Sequence, residues 1–408
     1  MPKKIKNCRA CKSKKIKHVY SLGNQSLTGI FPNSKKSKIS KGNLSLCMCT
    51  NCSLLQLEYT FDHNEMYGLN YGYMSSLNSS MEFHLKQKAN QLKNKYSLNN
   101  GDYIIDIGSN DGTFLSFFTK RFKLIGCDPT INKFSNLYRK DIIKVPDFFS
   151  FDKVKRHLPK KAKLITSIAM FYDLDDPSSF IQDIIKSLHD NGVWHIELSY
   201  MPFMIKNMSY DTICHEHLEY YSLLSLNKLL SKNNLKIINI EFNQTNGGSF
   251  ALDISKKKSI HKECTAIINW VLKKEKIFDY NKINRIKKFF EDCKKHKILL
   301  KELILNLKKQ KKTILGYGAS TKGNVILQYC NITNKEIKYI GEVNKFKFNK
   351  FTPGSKIKII SETLAKKMKP DYFLVLPWHF KEHIIKKEEK FLKSGGKMIF
   401  PLPDIEII

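Results

Sequence analysis

Ile104-Ile-Asp-Ile-Gly-Ser-Asn-Asp-Gly-Thr113, followed by Ile125-Gly-Cys-Asp-Pro-Thr130, is the stretch that decides the fold. An apolar run ends in an acid, a glycine turn follows, and a second apolar run ends in Asp128. Strand, tight turn, helix and strand in that order present a nucleoside at the edge of an α/β sheet, with a carboxylate placed for the ribose hydroxyls. The turn reads D-x-G-x-x-D-G, not G-x-G-x-x-G, and carries Asp106 and Asp111 where a pyrophosphate would need bare amides. A cationic nucleoside without phosphate fits such a turn better, and S-adenosylmethionine (SAM) is that ligand. Gly108 and Gly112 allow close approach of backbone to ligand. Asp106 and Asp111 are placed for the methionine ammonium, and Asn110 counts with them as a cofactor-binding residue. Asp128 is placed for the ribose, and Asp147 with Phe148 and Phe149 for adenine.

Outward from this turn the pattern alternates. Strands are expected at Tyr103–Ile107, Leu124–Cys127, Leu164–Ile168, Gly192–Leu198 and Leu235–Phe242, with helices between them and a helix from about Ser79 to Tyr96 in front. Alternation of this kind predicts a mostly parallel sheet with helices on both faces. From about His261 to Lys312 the apolar residues recur at helical spacing, which reads as a helical connector. Thr313-Ile-Leu-Gly-Tyr-Gly-Ala-Ser-Thr-Lys-Gly-Asn324 then restarts the strand, glycine turn and helix pattern, with short strands at Lys338–Gly341, Tyr372–Leu376 and Lys397–Phe400. The expected division is a lobe at 1–66, a SAM-binding Rossmann-like domain at 67–260, a connector at 261–312 and a second Rossmann-like α/β domain at 313–408.

The chain has 408 residues and a formal net charge of +33. That charge invites a nucleic-acid reading, but arginine occurs only at Arg9, Arg121, Arg139, Arg156 and Arg285. Readers of nucleic acid favour the planar arginine fork, and these lysines are dispersed along the chain. A solvated basic surface with a general pull on anionic ligands is the expectation, without a nucleic-acid partner. No apolar run reaches the length of a membrane span, and the basic N-terminus leads into no apolar segment. A cytoplasmic protein is expected.

Five of the ten cysteines crowd the first sixth of the chain. Cys8-Arg-Ala-Cys11 and Cys49-Thr-Asn-Cys52 are two knuckles, each offering two thiolates from one tight turn. Two such turns close a tetrahedral zinc site with no open position, so the metal would be structural. Cys47 could substitute for Cys49 but lacks a partner at the right spacing. A lobe of this size makes a poor core by itself, and a metal compensates.

Cys214-His-Glu-His-Leu-Glu-Tyr-Tyr-Ser222 carries the chemistry-bearing side chains. His215 and His217 are two apart, a poor spacing for metal ligands on one helix face. On an extended loop only one of them would point into a site. A base with an orienting carboxylate, His217 with Glu216, is the simpler use. Asn246-Gly247-Gly-Ser249 is open between a hairpin turn and a donor of backbone amides to substrate. Lys322, at the second glycine turn, is placed for a diphosphate. Trp378-His379 is open between core packing and a pocket wall.

Taken together these motifs resemble the sugar C-methyltransferases of deoxysugar biosynthesis, along nearly the whole chain. The resemblance is carried by the two knuckles with Leu22-Gly-Asn-Gln-Ser-Leu-Thr-Gly-Ile-Phe-Pro32 and Ser53-Leu-Leu-Gln-Leu57, by Ile107–Thr113 and by His215-Glu-His-Leu-Glu-Tyr-Tyr221. It continues in Gly316–Asn324, Pro353-Gly354 and Leu374-Val-Leu-Pro-Trp-His-Phe380. It implies a zinc lobe, a SAM-binding domain and a C-terminal Rossmann-like domain, with a nucleotide-linked keto sugar between the last two. It implies proton abstraction beside the keto group and methyl transfer to the enolate carbon. His217 would inherit the base role and Glu216 a substrate-orienting one, with His215 beside them. Tyr73, or its neighbour Tyr71, would line the sugar pocket, together with Cys214 and Tyr221. Amino-sugar members of the family carry a tyrosine where this chain has Cys214, and a histidine within the stretch that here reads Ala169-Met-Phe-Tyr172. A sugar O-methyltransferase and a non-catalytic SAM- or nucleotide-binding module are the alternative readings. Oligomeric state, sugar and nucleotide base are not legible.

Overall fold

The computed structural model describes residues 2–67 and 73–408. Its centre is a seven-stranded sheet in the order Leu235–Asn243, Ser249–Lys256, Leu188–Ser199, Ala162–Ile168, Tyr103–Ile107, Lys123–Cys127, Ile143–Val145. The last five strands run parallel to one another. The first two form an antiparallel hairpin, whose second strand pairs antiparallel with Leu188–Ser199. The sheet is thus mostly parallel, as expected, and the hairpin is its antiparallel part because the short turn at 244–248 returns the chain directly without a crossover helix. The parallel strands are near-continuous apolar runs, as expected where helices cover both faces.

The helix Ser79–Lys95 lies on one face through Met81, Leu85, Ala89 and Leu92, which recur on one stripe. Asn78 starts it, its side chain accepting from the amides of Ser80 and Met81. The expected helical stretch after the hairpin resolves into two helices, Thr265–Ile277 and Ile283–Lys309. The second α/β unit has a six-stranded sheet in the order Lys358–Ser361, Tyr339–Glu342, Ile314–Tyr317, Tyr372–Val375, Lys397–Phe400, Glu406–Ile407, parallel but for the last strand. Among the described residues no helix is long and apolar enough to cross a membrane.

The N-terminal lobe does not stand apart. Its sheet, Ile16–Ser26, Lys41–Cys49 and Leu55–Leu57, gains a fourth strand, Glu219–Tyr220, that immediately follows the His215–His217 stretch. The Leu57 amide donates to the Leu218 carbonyl at 2.9 Å. Lobe residues Leu22, Leu27 and Leu44 share one apolar core with Phe289 and Phe290 of the long helix and with Val325 and Ile326 of the C-terminal unit. Tyr20 stacks on Phe290 with centroids 4.4 Å apart, and its hydroxyl meets that of Tyr329 at 2.9 Å. Each such fully buried leucine contributes on the order of 1.5–3 kcal/mol, so lobe and C-terminal unit hold each other. The lobe also grips the central domain. Arg9, inside the first knuckle, pairs through Nε with Asp175 Oδ1 at 3.7 Å, and the Thr60 hydroxyl donates to the same oxygen at 2.7 Å.

Candidate active site and zinc centre

Cys8, Cys11, Cys49 and Cys52 bring their sulfurs within 4.8 Å of one another. Cys8 and Cys52 stand 3.6 Å apart, as do Cys11 and Cys49. Four thiolates at zinc bond length would stand roughly 3.8 Å from one another, so the set fits a tetrahedral ion. The fit is with four sulfurs and no open position, so such an ion would brace the two knuckles. Cys47 is outside the group. It is buried on the strand Lys41–Cys49, and burial together with Glu58 pushes its thiol up to about 12.

One cavity of about 940 Å³ opens between all three units. Phe31 comes from the lobe, Asp106 and Asp128 from the first glycine turn and its neighbour, His217 from the connection between the strands Leu188–Ser199 and Leu235–Asn243, and Lys322 and His379 from the C-terminal unit. Its size is at the upper end for a ligand pocket.

At the first turn, Gly108 has a φ of +74° and Asn110 one of +50°, which turn the chain sharply under the cavity. Asp106 is buried at the end of its strand, where Thr166 Oγ1 donates to it at 2.6 Å. Burial pushes its carboxyl up to about 7. Asp128 accepts the Asn110 amide on Oδ2 at 2.9 Å and the Thr130 amide and hydroxyl on Oδ1 at 2.7 and 2.6 Å. A carboxylate has about four lone-pair sites, so one remains on Oδ2 for a hydroxyl. Asp147 and Phe148 line the same end, and Lys153 pairs with Asp147 at 2.6 Å. A cationic nucleoside fits this wall: its charge would meet Asp106, its ribose Asp128 and its base Phe148.

Two expected cofactor residues work differently. Asp111 does not line the cavity. Its carboxylate accepts from the Ser76 amide at 2.9 Å and the Thr113 hydroxyl at 2.6 Å, so it ties the turn to the segment before the long helix. Gly112, at φ +79°, backs onto the Tyr138 ring, which a Cβ would approach to 2.9 Å. It too lies outside the lining.

The loop Tyr210–His217 orients the imidazole that reaches the cavity. His217 Nδ1 donates to the Thr212 carbonyl at 2.7 Å, which fixes the tautomer and leaves Nε2 with a lone pair. Its ring rests edge-on against Tyr172, centroids 4.3 Å apart. Burial first, then the positive charge of Lys322, holds it down at about 3, so it stays neutral. Glu216 lines the cavity and accepts from the Thr28 hydroxyl at 3.1 Å; burial raises its carboxyl. Cys214 is buried beside Glu216 and Asp173, and burial keeps it a thiol well above its ordinary range. It has no thiolate to act as a nucleophile.

His215 is a correction. It points the other way, because His215 and Glu216 form a tight turn closed by the His217 amide on the Cys214 carbonyl at 3.2 Å, with Nε2 3.2 Å from the Gly42 carbonyl and its ring against Phe61 at 4.7 Å. It packs into the zinc lobe and does not touch the cavity. Tyr221 is another. It is fully buried, its hydroxyl donating to Glu219 at 2.8 Å and its ring against Phe171, so it belongs to the core beneath the loop. Gly247 spends its amide on Gln244 O at 3.2 Å inside the hairpin turn and stays out of the lining, whereas Asn246 lines it. Tyr73 lines the cavity, and Tyr71 lies outside the described residues.

On the opposite wall, Lys322 Nζ donates to the Asn246 carbonyl at 2.6 Å. His379 lines the cavity, while Trp378 turns inward and donates from Nε1 to Asp211 Oδ2 at 2.8 Å. The pair is thus both wall and core. At the second glycine turn the ammonium is that of Lys347, which donates to Ala319 O at 2.8 Å and lies over the Phe31 ring at 4.7 Å. Lys347, Asp173 and Asp211 carried no sequence signal, whereas Tyr172 ends the stretch in which the resemblance places a histidine. The first three sit outside the glycine turns and the His-Glu-His stretch, and in so lysine-rich a chain one more lysine is not conspicuous.

A family model described as "Putative zinc binding domain" matches residues 8–67. "Methyltransferase domain" matches 81–240 and "C-methyltransferase C-terminal domain" matches 244–403. The three matches follow one another along the chain, which is a SAM-dependent C-methyltransferase that uses SAM and carries a zinc-binding lobe. It is similar to the C-methyltransferase NovU of Streptomyces niveus, 26% identical over 99% of this chain and 97% of that one. Among solved structures it is similar to the plantazolicin methyltransferase BpumL in complex with SAH, 14% identical over 43% of this chain and 85% of the other, with a TM-score of 0.35.

Proposed function

We propose that the enzyme methylates the carbon beside the keto group of a nucleoside-diphosphate-linked deoxysugar, in the cytoplasm and without a nucleic-acid partner. The observation that carries this reading is His217. It is a neutral imidazole, held by Thr212 O with Nε2 unprotonated, in the same cavity as the cofactor turn. A carbon nucleophile needs a C–H acidified by a neighbouring carbonyl and a side-chain base to take the proton. Bound SAM would supply the methyl group, on a sulfonium that leaves as a neutral thioether. The chain's own part is to hold the sugar between His217 and the first turn, a positioning effect, and to exclude water. Glu216, fixed by Thr28, orients the sugar. Asn246 and Tyr73 line its pocket, and the diphosphate lies along Gly316–Ser320 with Lys347.

The test is deuterium uptake from D2O, without SAM, at the carbon beside the carbonyl of nucleoside-diphosphate keto sugars. The uptake is expected in the wild type and lost in His217→Ala. Methyl transfer without that uptake would point to a hydroxyl acceptor instead. SAM binding with no turnover on any keto-sugar nucleotide would leave only a binding module.

A further inference from the structure

We infer that Lys322 is the electrophile of the reaction: its ammonium binds the substrate's keto oxygen and stabilises the enolate that His217 creates. This rests on the proposed keto-sugar chemistry and assigns Lys322 a place at the reacting carbon in preference to the diphosphate.

The placement is specific. Lys322 follows Ser320 and Thr321 at the start of the helix Thr321–Tyr329 and reaches across the domain boundary, where Asn246 O anchors one of its three donors at 2.6 Å. Among the described residues it has no carboxylate within ion-pair distance, so its other donors remain for a ligand. The titratable groups that feel it are Asp211, Cys214, His217 and His379, of which the last three line the cavity. The phosphate side has its own ammonium in Lys347, bound to Ala319 O within the second glycine turn.

Asp211 explains how the charge is kept. It is fully buried, with Oδ2 taken by Trp378 Nε1 and Oδ1 without a hydrogen-bond partner. Its attraction opposes the burial that pulls the lysine down. One loop therefore carries both the base, through Thr212 O, and the counter-charge to the electrophile, through Asp211.

An ammonium beside a catalytic base is otherwise costly, because it lowers the basicity of the imidazole. It is useful when the same charge stabilises the product of proton removal. His217 Nε2 takes the proton from carbon, the C–H electron pair becomes the new C=C bond, and the carbonyl π pair moves to oxygen. That oxyanion receives the Lys322 hydrogen bond. The charge lowers the barrier to proton removal, and a donor already fixed by Asn246 O needs no reorganisation to meet the oxyanion.

The test uses the full-length, zinc-replete chain. Wild type is incubated in D2O without SAM against a panel of nucleoside-diphosphate 4-keto-6-deoxyhexoses, and the probe that gains deuterium is carried forward. No exchange on any probe overturns the proposed function, and the role of Lys322 falls with it. With the active probe, Lys322→Gln and Lys322→Met are expected to slow exchange by about 100-fold or more, the usual loss for one oxyanion donor. Their affinity for the corresponding plain nucleoside diphosphate should stay within threefold, and Lys322→Arg should recover part of the exchange. Independently of any substrate, the NMR titration of His217 should move upward in the two uncharged variants and stay low in Lys322→Arg. Exchange at the wild-type rate in a folded uncharged variant overturns the electrophile role. So does a loss of nucleoside-diphosphate affinity that matches the loss of exchange, and so does an unmoved His217 titration.

Discussion

The Thr28 hydroxyl donates to Glu216 Oε2 at 3.1 Å across 188 residues of sequence, joining the zinc lobe to the acid beside the base. The Thr28 carbonyl in turn accepts Asn324 Nδ2 of the C-terminal unit at 2.7 Å. One lobe residue thus bonds both to the loop that carries the base and to the C-terminal unit. Thr28→Ala removes a donor from a buried carboxyl, which costs about 1–3 kcal/mol. A lowered melting temperature and slower substrate exchange are expected, with SAM affinity unchanged. Thr28→Ser should restore both. A variant that melts and exchanges like wild type would separate Glu216 from the lobe.

Metal analysis should return about one zinc per chain, lost when Cys8 and Cys52 become serine. The consequence for activity follows from the strand Glu219–Tyr220, which hydrogen-bonds to Leu55–Gln56 of the lobe. Chelation is expected to abolish deuterium exchange before it abolishes SAM binding, because the cofactor turn is built wholly within the central sheet. Equal loss of both, followed in one titration by exchange and calorimetry, would mean that the lobe supports the entire fold.

SAM affinity should fall with pH in the neutral range. Burial raises the Asp106 carboxyl to about 7. The ionised form attracts the ligand's ammonium, so below that value binding must expel a proton. Between pH 8 and pH 6 affinity is expected to drop roughly tenfold, and Asp106→Asn should flatten the slope at a weaker level. Substrate exchange without SAM has a different profile. The His217 imidazole, held near 3, is already neutral at pH 5, so its rate should show no acid limb near 6.5. Calorimetry and exchange rates over the same buffers check both; a shared limb would count against the assignment.

Trp378→Phe removes the indole donor from Asp211, whose other oxygen has no hydrogen-bond partner. A buried carboxylate left without donors is expected to cost at least about 1–3 kcal/mol, read as a lower melting temperature. Asp211→Asn in the same background should recover part of that loss, since the neutral amide needs no compensation for charge. No recovery would show that the cost comes from the ring's packing.

The features legible from the sequence are those whose chemistry is local. Two cysteines in one turn, a glycine turn between apolar runs, and a histidine next to an acid announce themselves within ten residues. What stayed hidden depends on partners far along the chain. His215 and His217 look equivalent in sequence, and only the pairing of the following strand with the lobe decides which ring meets the cavity. Tyr221 looks like a pocket tyrosine until Glu219 and Phe171 enclose it. Asp111 looks like a ligand for a cation until Ser76 and Thr113 occupy it. The strand Glu219–Tyr220 is two residues long, too short for any periodic signal, yet it sets the orientation of the loop before it.

That short strand also bears on how the enzyme is cut and inherited. A chain started after the cysteine knuckles would leave Glu219–Tyr220 with bare amides and carbonyls at an open edge, ready to pair with another molecule. Truncation at the apparent lobe boundary should therefore yield aggregates, not a minimal catalyst. Transplanting the lobe between relatives should work only when the His-Glu-His segment travels with it.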